Sequence, residues 1–339
     1  MAKQHDPMPL DDSELPSLFR IADRGASRSK WLHFFFVGGE LVCICLAAIA
    51  KIFGQQFAPS IVGFFHIRVV EIPFQGDHIS GKDLTNTIAG FALPTLLLAL
   101  AGIMYLTRLV NRYDKYWRAR RALAEAVREL AWRFSMRAMV ADLRAAEPLI
   151  PDESNKAFGV EFGNLKNQGN SLQLGPPKGQ EITDKIKALR GKGGSEQRDD
   201  YLRGRVQEAM QWYSKRASHY RIWMNIFQGA RILAYLFGGV LIYFNTFGSY
   251  GLAAMTTIAG ALGTWLVAKH YDDLAQSYAV VAGDLNYRHD TAPTVPPDSP
   301  SGGGGPGNSW IVFVDKIETI LKGERQDWLR ESKIGESAE

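Results

Sequence analysis

Four stretches of this chain carry almost no charge over the length a helix needs to cross a lipid bilayer. A hydrocarbon core of about 30 Å takes roughly 20 residues of helix. Residues 31–50 reach that length, with Glu40 as their only acid and Lys51 at their close. Residues 88–110 have no charge before Arg108, and Pro94 lies near their start, where neighbouring groups can satisfy the freed carbonyl. Residues 226–244 carry Arg231 close to their entry, where a long side chain can snorkel. Residues 251–268 are uncharged up to Lys269 and rich in Gly and Ala, which let helix backbones approach closely in lipid. The averages hide this pattern. A mean hydropathy of −0.13 and 46% apolar residues would also suit a soluble chain. Buried helices of a large soluble core are the alternative, and four such runs flanked by Arg, Lys or aromatic residues count against it.

The fold class expected is therefore all-α: a polytopic membrane protein of two transmembrane hairpins extended by long extramembrane helices. Basic residues set the orientation. Arg20, Arg24, Arg28 and Lys30 precede the first span, and Arg108, Arg112, Lys115, Arg118, Arg120 and Arg121 end and follow the second. Lys215, Arg216 and Arg221 precede the third, and Lys269 follows the fourth. All lie on one side only if both termini are cytoplasmic. Residues 52–87 and a turn near 245–249 then face outward, with FAPSIVGFFHIRVVEIPF in the first of these as a short strand or interfacial piece. The first 30 residues are polar, so no cleavable signal peptide is expected.

The charged regions keep a helical period. Residues 111–144 carry a stripe through Tyr113, Trp117, Leu123, Val127, Leu130 and Phe134, with no breaker before them, so one long helix is expected to leave the second span. Residues 201–220 do the same through Tyr201, Val206, Ala209, Met210, Tyr213, Ala217 and Tyr220. Residues 270–285 follow with Tyr271, Leu274, Tyr278, Val281 and Ala282. Residues 292–307 read as a flexible Pro/Gly spacer before a docking helix at 309–332 built on Phe313, Ile317, Leu321 and Trp328. Residues 1–15 read as a flexible terminus. The polar stretch 146–200 reads as a linker, with one short helix at 181–189. Trp117, Phe134, Tyr213, Tyr271, Tyr278, Phe313 and Trp328 are thus the expected docking residues between the cytoplasmic helices.

A weak internal duplication fits two hairpins. RGASRSKW at 24–31 compares with KRASHYRIW at 215–223, an offset of 191 between Ala26 and Ala217. RYDKYW at 112–117 compares with HYDDLA at 270–275, an offset of 158 between Tyr113 and Tyr271.

No catalytic constellation is visible, so no enzyme and no cofactor are expected. The chain has no His-x-x-x-His pair, no Cys-x-x-Cys and no phosphate-binding loop; GGGG at 302–305 lacks the Lys and Ser/Thr such a loop needs. Cys43 and Cys45 are small apolar fillers, and no metal site is expected. A net charge of +4 gives nucleic-acid binding no support. The chemistry left is that of a pore. Glu40 and Arg231 are the ionisable residues well inside the apolar runs, and they share the offset of 191. They are expected either to pair and fix helix register or to line a path. Gly38, Gly39, Gly260 and Gly263 are the expected helix-packing positions. A unit of four helices has a narrow interior, so a path would form between copies in a homo-oligomer.

Two features of the chain resemble the SLATT superfamily, the two-transmembrane effector domains associated with nucleotide-sensing modules of bacteria. One is the first hairpin followed by YDKYWRARRALAEAVRELAWRF. The other runs from YLRGRVQEAMQWYSKRASHYR through HYDDLAQSYAVVAGDL to FVDKIETILKGERQDWLRE. The resemblance covers one unit over 16–145 and a second over 201–332. It implies an effector of antiviral defence in the bacterial inner membrane that opens an ion channel or pore on a nucleotide or infection signal. The implied partners are membrane lipids, other copies of the chain, and a nucleotide second messenger or separate sensor protein. The alternative is a non-conducting scaffold that recruits a soluble partner through 111–144 and 309–332. The resemblance carries no catalytic residues.

Overall fold

The structure, a computed structural model, describes residues 9–65, 81–139, 151–244, 248–294 and 308–333. Within these, 52–65, 81–91, 151, 248–250, 308 and 324–333 are described by their backbone alone. The described residues are mostly helical, with no strand among them. In chain order the helices are α1 (Ser17–Phe65), α2 (Gly81–Asn111), α3 (Tyr113–Ser135), α4 (Pro151–Ser171), α5 (Asp184–Arg190) and α6 (Gly194–Tyr201). A π-turn over Leu202–Gln207 leads into α7 (Glu208–Tyr243), followed by α8 (Gly248–Lys269), α9 (Tyr271–Asp290) and α10 (Asn308–Lys333). Four helices are long and apolar enough to cross a membrane, and they contain the four apolar runs. The chain divides into a membrane unit, 32–112 with 220–273, and an extramembrane unit, 1–31 with 113–219 and 274–339.

Several expectations need correction. α1 does not end at Lys51 but stays helical through Phe65, across Gly54, Pro59 and Gly63. The first part of the proposed strand is thus helix, and the rest of it lies outside the described residues. The single helix expected from 88 to 144 breaks at Arg112, which holds a left-handed φ of 44° between α2 and α3. His270, between α8 and α9, does the same at 49°. Non-glycine residues seldom adopt this conformation. The two breaks stand at the offset of 158 that the tyrosine motifs give, so each hairpin leaves its second span through the same irregular joint.

Residues 146–200 are more than a linker. α4 forms there because Phe158 and Phe162, one helical turn apart, bury themselves beside Phe134 of α3. The core of the extramembrane unit continues through Trp132 of α3, Tyr201 of α6 and Trp310 of α10. Trp132 meets Tyr201 edge-on at 5.7 Å, and Tyr201 meets Trp310 edge-on at 5.7 Å. Edge-to-face pairs at such separations stabilise beyond their area burial.

The π-turn explains how α7 keeps its buried side. Tyr201 and Tyr213, both buried, are twelve positions apart, which in an unbroken α-helix would set them about 120° apart. The extra residue of a π-turn removes about 100° and returns them to one side. Gly204 sits in that turn packed against Pro9 and Trp132. A Cβ there would lie 2.9 Å from Pro9 Cδ and 3.2 Å from the Trp132 ring, neither of which can swing aside. Gly204→Ala is expected to cost about 1–3 kcal/mol by overpacking, read as a lower melting temperature of the extramembrane unit. Gly260→Ala, where a Cβ would meet nothing within 4 Å, is the control expected to leave melting unchanged.

Candidate functional site

Two places hold charge where helices bury it, one in each unit. In the membrane unit, α1 and α2 meet closely where Gly39 faces Met104. A Cβ on Gly39 would come within 2.8 Å of the Met104 sulfur. One residue further on, the Glu40 carboxylate takes an ion pair from Arg108 Nη2 at 3.2 Å, and the same guanidinium lies over the Tyr105 ring at 5.4 Å. The pair is partly covered, not sealed. The sequence offered Arg231 as the partner of Glu40. Its guanidinium lies instead on α8, where a Cβ on Gly263 would come within 3.5 Å of Nη1. The repeat offset placed Glu40 and Arg231 at matching positions but said nothing of their distance. The antiparallel return of α2 brings Arg108 to Glu40.

The glycines divide in the same way. Gly38 faces the Trp265 ring, Gly39 faces Met104 and Gly263 faces Arg231, whereas Gly260 is open. The Trp265 ring belongs to an aromatic group with Phe34, at 6.1 Å, and Phe227, at 6.4 Å. Lys269 reaches over both the Phe34 and the Trp265 rings, 3.0 Å and 4.8 Å from their centroids. Tyr271 stacks on Phe227 with a centroid distance of 6.0 Å and so packs within the membrane unit. Cys43 is buried, as filler would be, Cys45 is half-buried, and both are free thiols. Among the described residues no group of three or more His, Cys, Asp or Glu is placed to hold a metal ion.

In the extramembrane unit, α10 lies on α3 and on the π-turn, burying Trp310, Ile311, Phe313, Val314 and Ile317. The sequence picked Phe313 and Ile317 from their period, while Trp328 falls outside the described side chains. Tyr213 and Tyr278 meet edge-on at 5.4 Å, linking α7 to α9, and Lys30 lies over the Trp117 ring at 5.3 Å. The sequence missed the centre of this packing. Glu318 is fully buried, at 0% exposure, with Arg205 of the π-turn at 6%. The Glu318 carboxylate accepts from Arg205 Nε at 3.0 Å, from Arg205 Nη2 at 2.7 Å, and from the Tyr201 hydroxyl at 3.0 Å. Such a fork-to-fork arrangement is the strongest form a protein ion pair takes. Arg133 adds a second link to α10 through Asp315, at 2.7 Å.

Burial works against the charge of Arg205, but Glu318, with Glu125 behind it, overrides that and holds the guanidinium above its ordinary range. Burial and the adjacent Glu318 carboxylate both push the Tyr201 hydroxyl well above its ordinary value. The folded state therefore keeps that proton where the unfolded chain gives it up. Stability from Tyr201 is complete below about pH 10 and is lost as pH rises beyond it. Tyr201→Phe is expected to flatten the fall in melting temperature between pH 9 and 11, which thermal scans across that range measure.

A cavity of about 250 Å³ lies beside this cluster. It is lined by Arg205 of the π-turn and Glu208 just after it, Glu318 and Lys322 of α10, and Glu125 and Arg128 of α3, among others. Its lining carries more acids than bases: Asp12, Asp23, Glu125, Glu129, Glu208 and Glu318 against Arg121, Arg128, Arg205 and Lys322. Most are already matched to each other. Arg121 pairs with Asp23 at 2.5 Å and Glu125 at 2.6 Å, and Arg128 pairs with Asp12 and with Glu125. Burial, with Asp12 and Asp11 nearby, pushes the Glu208 carboxyl up.

Four membrane-length helices in two hairpins, joined to a packed helical bundle, define an all-α multi-pass membrane protein. Comparison with protein-family models makes this specific. Residues 80–198 match the SMODS and SLOG-associating 2TM effector domain 3, and residues 201–328 match the SMODS and SLOG-associating 2TM effector domain 1. The chain belongs to the SLATT superfamily and carries two of its domains in tandem, a membrane effector by family. The first match begins after the first apolar run and takes in α4, α5 and most of α6. Searches of the curated proteins and of the solved structures find no match.

Proposed function

We propose that this protein is an oligomeric effector of bacterial defence that opens a pore across the inner membrane on an infection or nucleotide signal, with both termini in the cytoplasm. The observation that carries the reading is the Glu40–Arg108 pair inside the apolar hairpin. An ion pair in hydrocarbon adds little stability over a well-packed apolar pair, so stability alone does not account for it. Ionisable groups in transmembrane segments characteristically face a bundle interior or a water-filled path. Arg231, set on the second hairpin against Gly263, supplies another charge of the same kind. Large apolar side chains such as Leu96, Ile103, Leu233 and Leu236 remain exposed along the same helices and suit contact with lipid or with further copies.

The scaffold reading has less support. The surfaces it needs, on α3 and α10, are covered by each other through Trp310, Phe313, Ile317 and Glu318. The test is membrane potential in bacteria expressing the chain, followed with a voltage-sensitive dye during phage infection. Depolarisation before lysis, absent from cells expressing a Glu40→Leu chain at equal level, supports the pore. An unchanged potential alongside full protection from phage overturns it.

A further inference from the structure

The π-turn, the buried Glu318 and the separate tether of α10 belong together. A π-turn is rare within a helix and holds one residue more than the α-helical turn it replaces. Left alone, Leu202–Gln207 would gain regular α-helical hydrogen bonds by closing that turn. Two contacts oppose this. Gly204 is wedged against Pro9 and Trp132, and Arg205 is gripped by both carboxylate oxygens of Glu318. Glu318 comes from α10, which the chain reaches only through the Pro/Gly-rich stretch APTVPPDSPSGGGGPG. The cluster is also not sealed in apolar packing: the charged cavity reaches both Arg205 and Glu318, so the partners have polar surroundings to enter when they part.

We propose that α10 is a clasp on the π-turn: docked, it fixes the turn through Arg205–Glu318, and released, it lets the turn close to α-helix and rotates the rest of α7 by about 100°. That rotation carries the apolar run 226–244 and Arg231 with it. The device converts the docking state of a tethered helix into the angular position of a transmembrane segment. It rests on the packing of the extramembrane unit alone and does not depend on conduction.

Closure moves each later residue of α7 into the angular place of its successor. Ala217, buried, takes the place of exposed Ser218, and half-buried Arg216 takes the place of Ala217. The experiment uses the full chain in nanodiscs with Cys43→Ala and Cys45→Ala, and single reporters Ala217→Cys or Arg216→Cys. Labelling by a water-soluble maleimide is timed with Glu318 intact and with Glu318→Gln. The expected result is at least a tenfold faster reaction at 217 and a slower one at 216 when the clasp is broken. A loosened or unfolded helix would instead speed both, and an unmoved helix would change neither; each of those outcomes overturns the proposal. Should the Glu318→Gln chain not fold, Glu318→Asp, which withdraws the carboxylate by one methylene, is read by the same two rates.

Discussion

Replacing Glu318 by glutamine is expected to lower the stability of the extramembrane unit by about 3–5 kcal/mol, the range for breaking a buried ion pair from one side. The cost arises from what is left behind. Arg205 is 6% exposed, and its guanidinium would remain buried beside a neutral amide, with Glu125 Oε2 4.0 Å away. The Tyr201 hydroxyl would lose its charged acceptor in the same step. For a unit of this size the melting temperature should fall on the order of 10 °C. The triple change Glu318→Leu, Arg205→Met and Tyr201→Phe removes the three hydrogen-bonded polar groups of the cluster together and is expected to recover most of the loss. Scanning calorimetry of the three chains decides it. A Glu318→Gln chain that melts with the parent would mean that α10 is held by its apolar face alone.

The second large effect is an asymmetry within the membrane pair. Arg108→Leu strands Glu40, a short side chain well inside its apolar run, and is expected to cost roughly 2.5–3.5 kcal/mol by the insertion scale for a lone charge. Glu40→Leu strands Arg108, which lies in the last turn of α2 and can snorkel towards the headgroups, so the loss should be clearly smaller. Exchanging the two, Glu40→Arg with Arg108→Glu, restores the pair and should recover both folded yield and melting temperature. Exchanging Glu40 with Arg231 should not. Yield in the membrane fraction and melting in detergent measure all four chains. Equal losses for the two single changes would argue that the pair is screened by water along its whole length.

The membrane spans were legible because length and charge-free composition are properties of sequence alone. The docking face of α10 was legible for a similar reason, since Phe313 and Ile317 keep the helical period. Three things were not. The partner of Glu40 depends on which helix returns beside α1, and a pattern of equal offsets is no measure of distance. α4 looks like linker in the sequence because its composition is polar and glycine-rich. It is a helix through tertiary packing at Phe158 and Phe162, two residues too few to mark a stripe. The π-turn left one trace: the stripe steps five residues from Tyr201 to Val206, where the later steps are shorter. Reading that step as an extra residue would have placed the turn. Glu318 and Arg205 had no such signal, because a charge that pairs inside a core looks the same in sequence as one that faces water.

The claim on which the account rests is that assembled copies conduct ions under control. Proteoliposomes of mixed zwitterionic and anionic phospholipid loaded with potassium, with the purified chain at known density, give the direct measurement when candidate nucleotides are added singly. The account predicts potassium efflux that one nucleotide raises at least tenfold, that rises steeply with protein density, and that Glu40→Leu abolishes. Liposomes that stay ion-tight at every density and with every nucleotide, while the protein is shown folded and inserted, would contradict it.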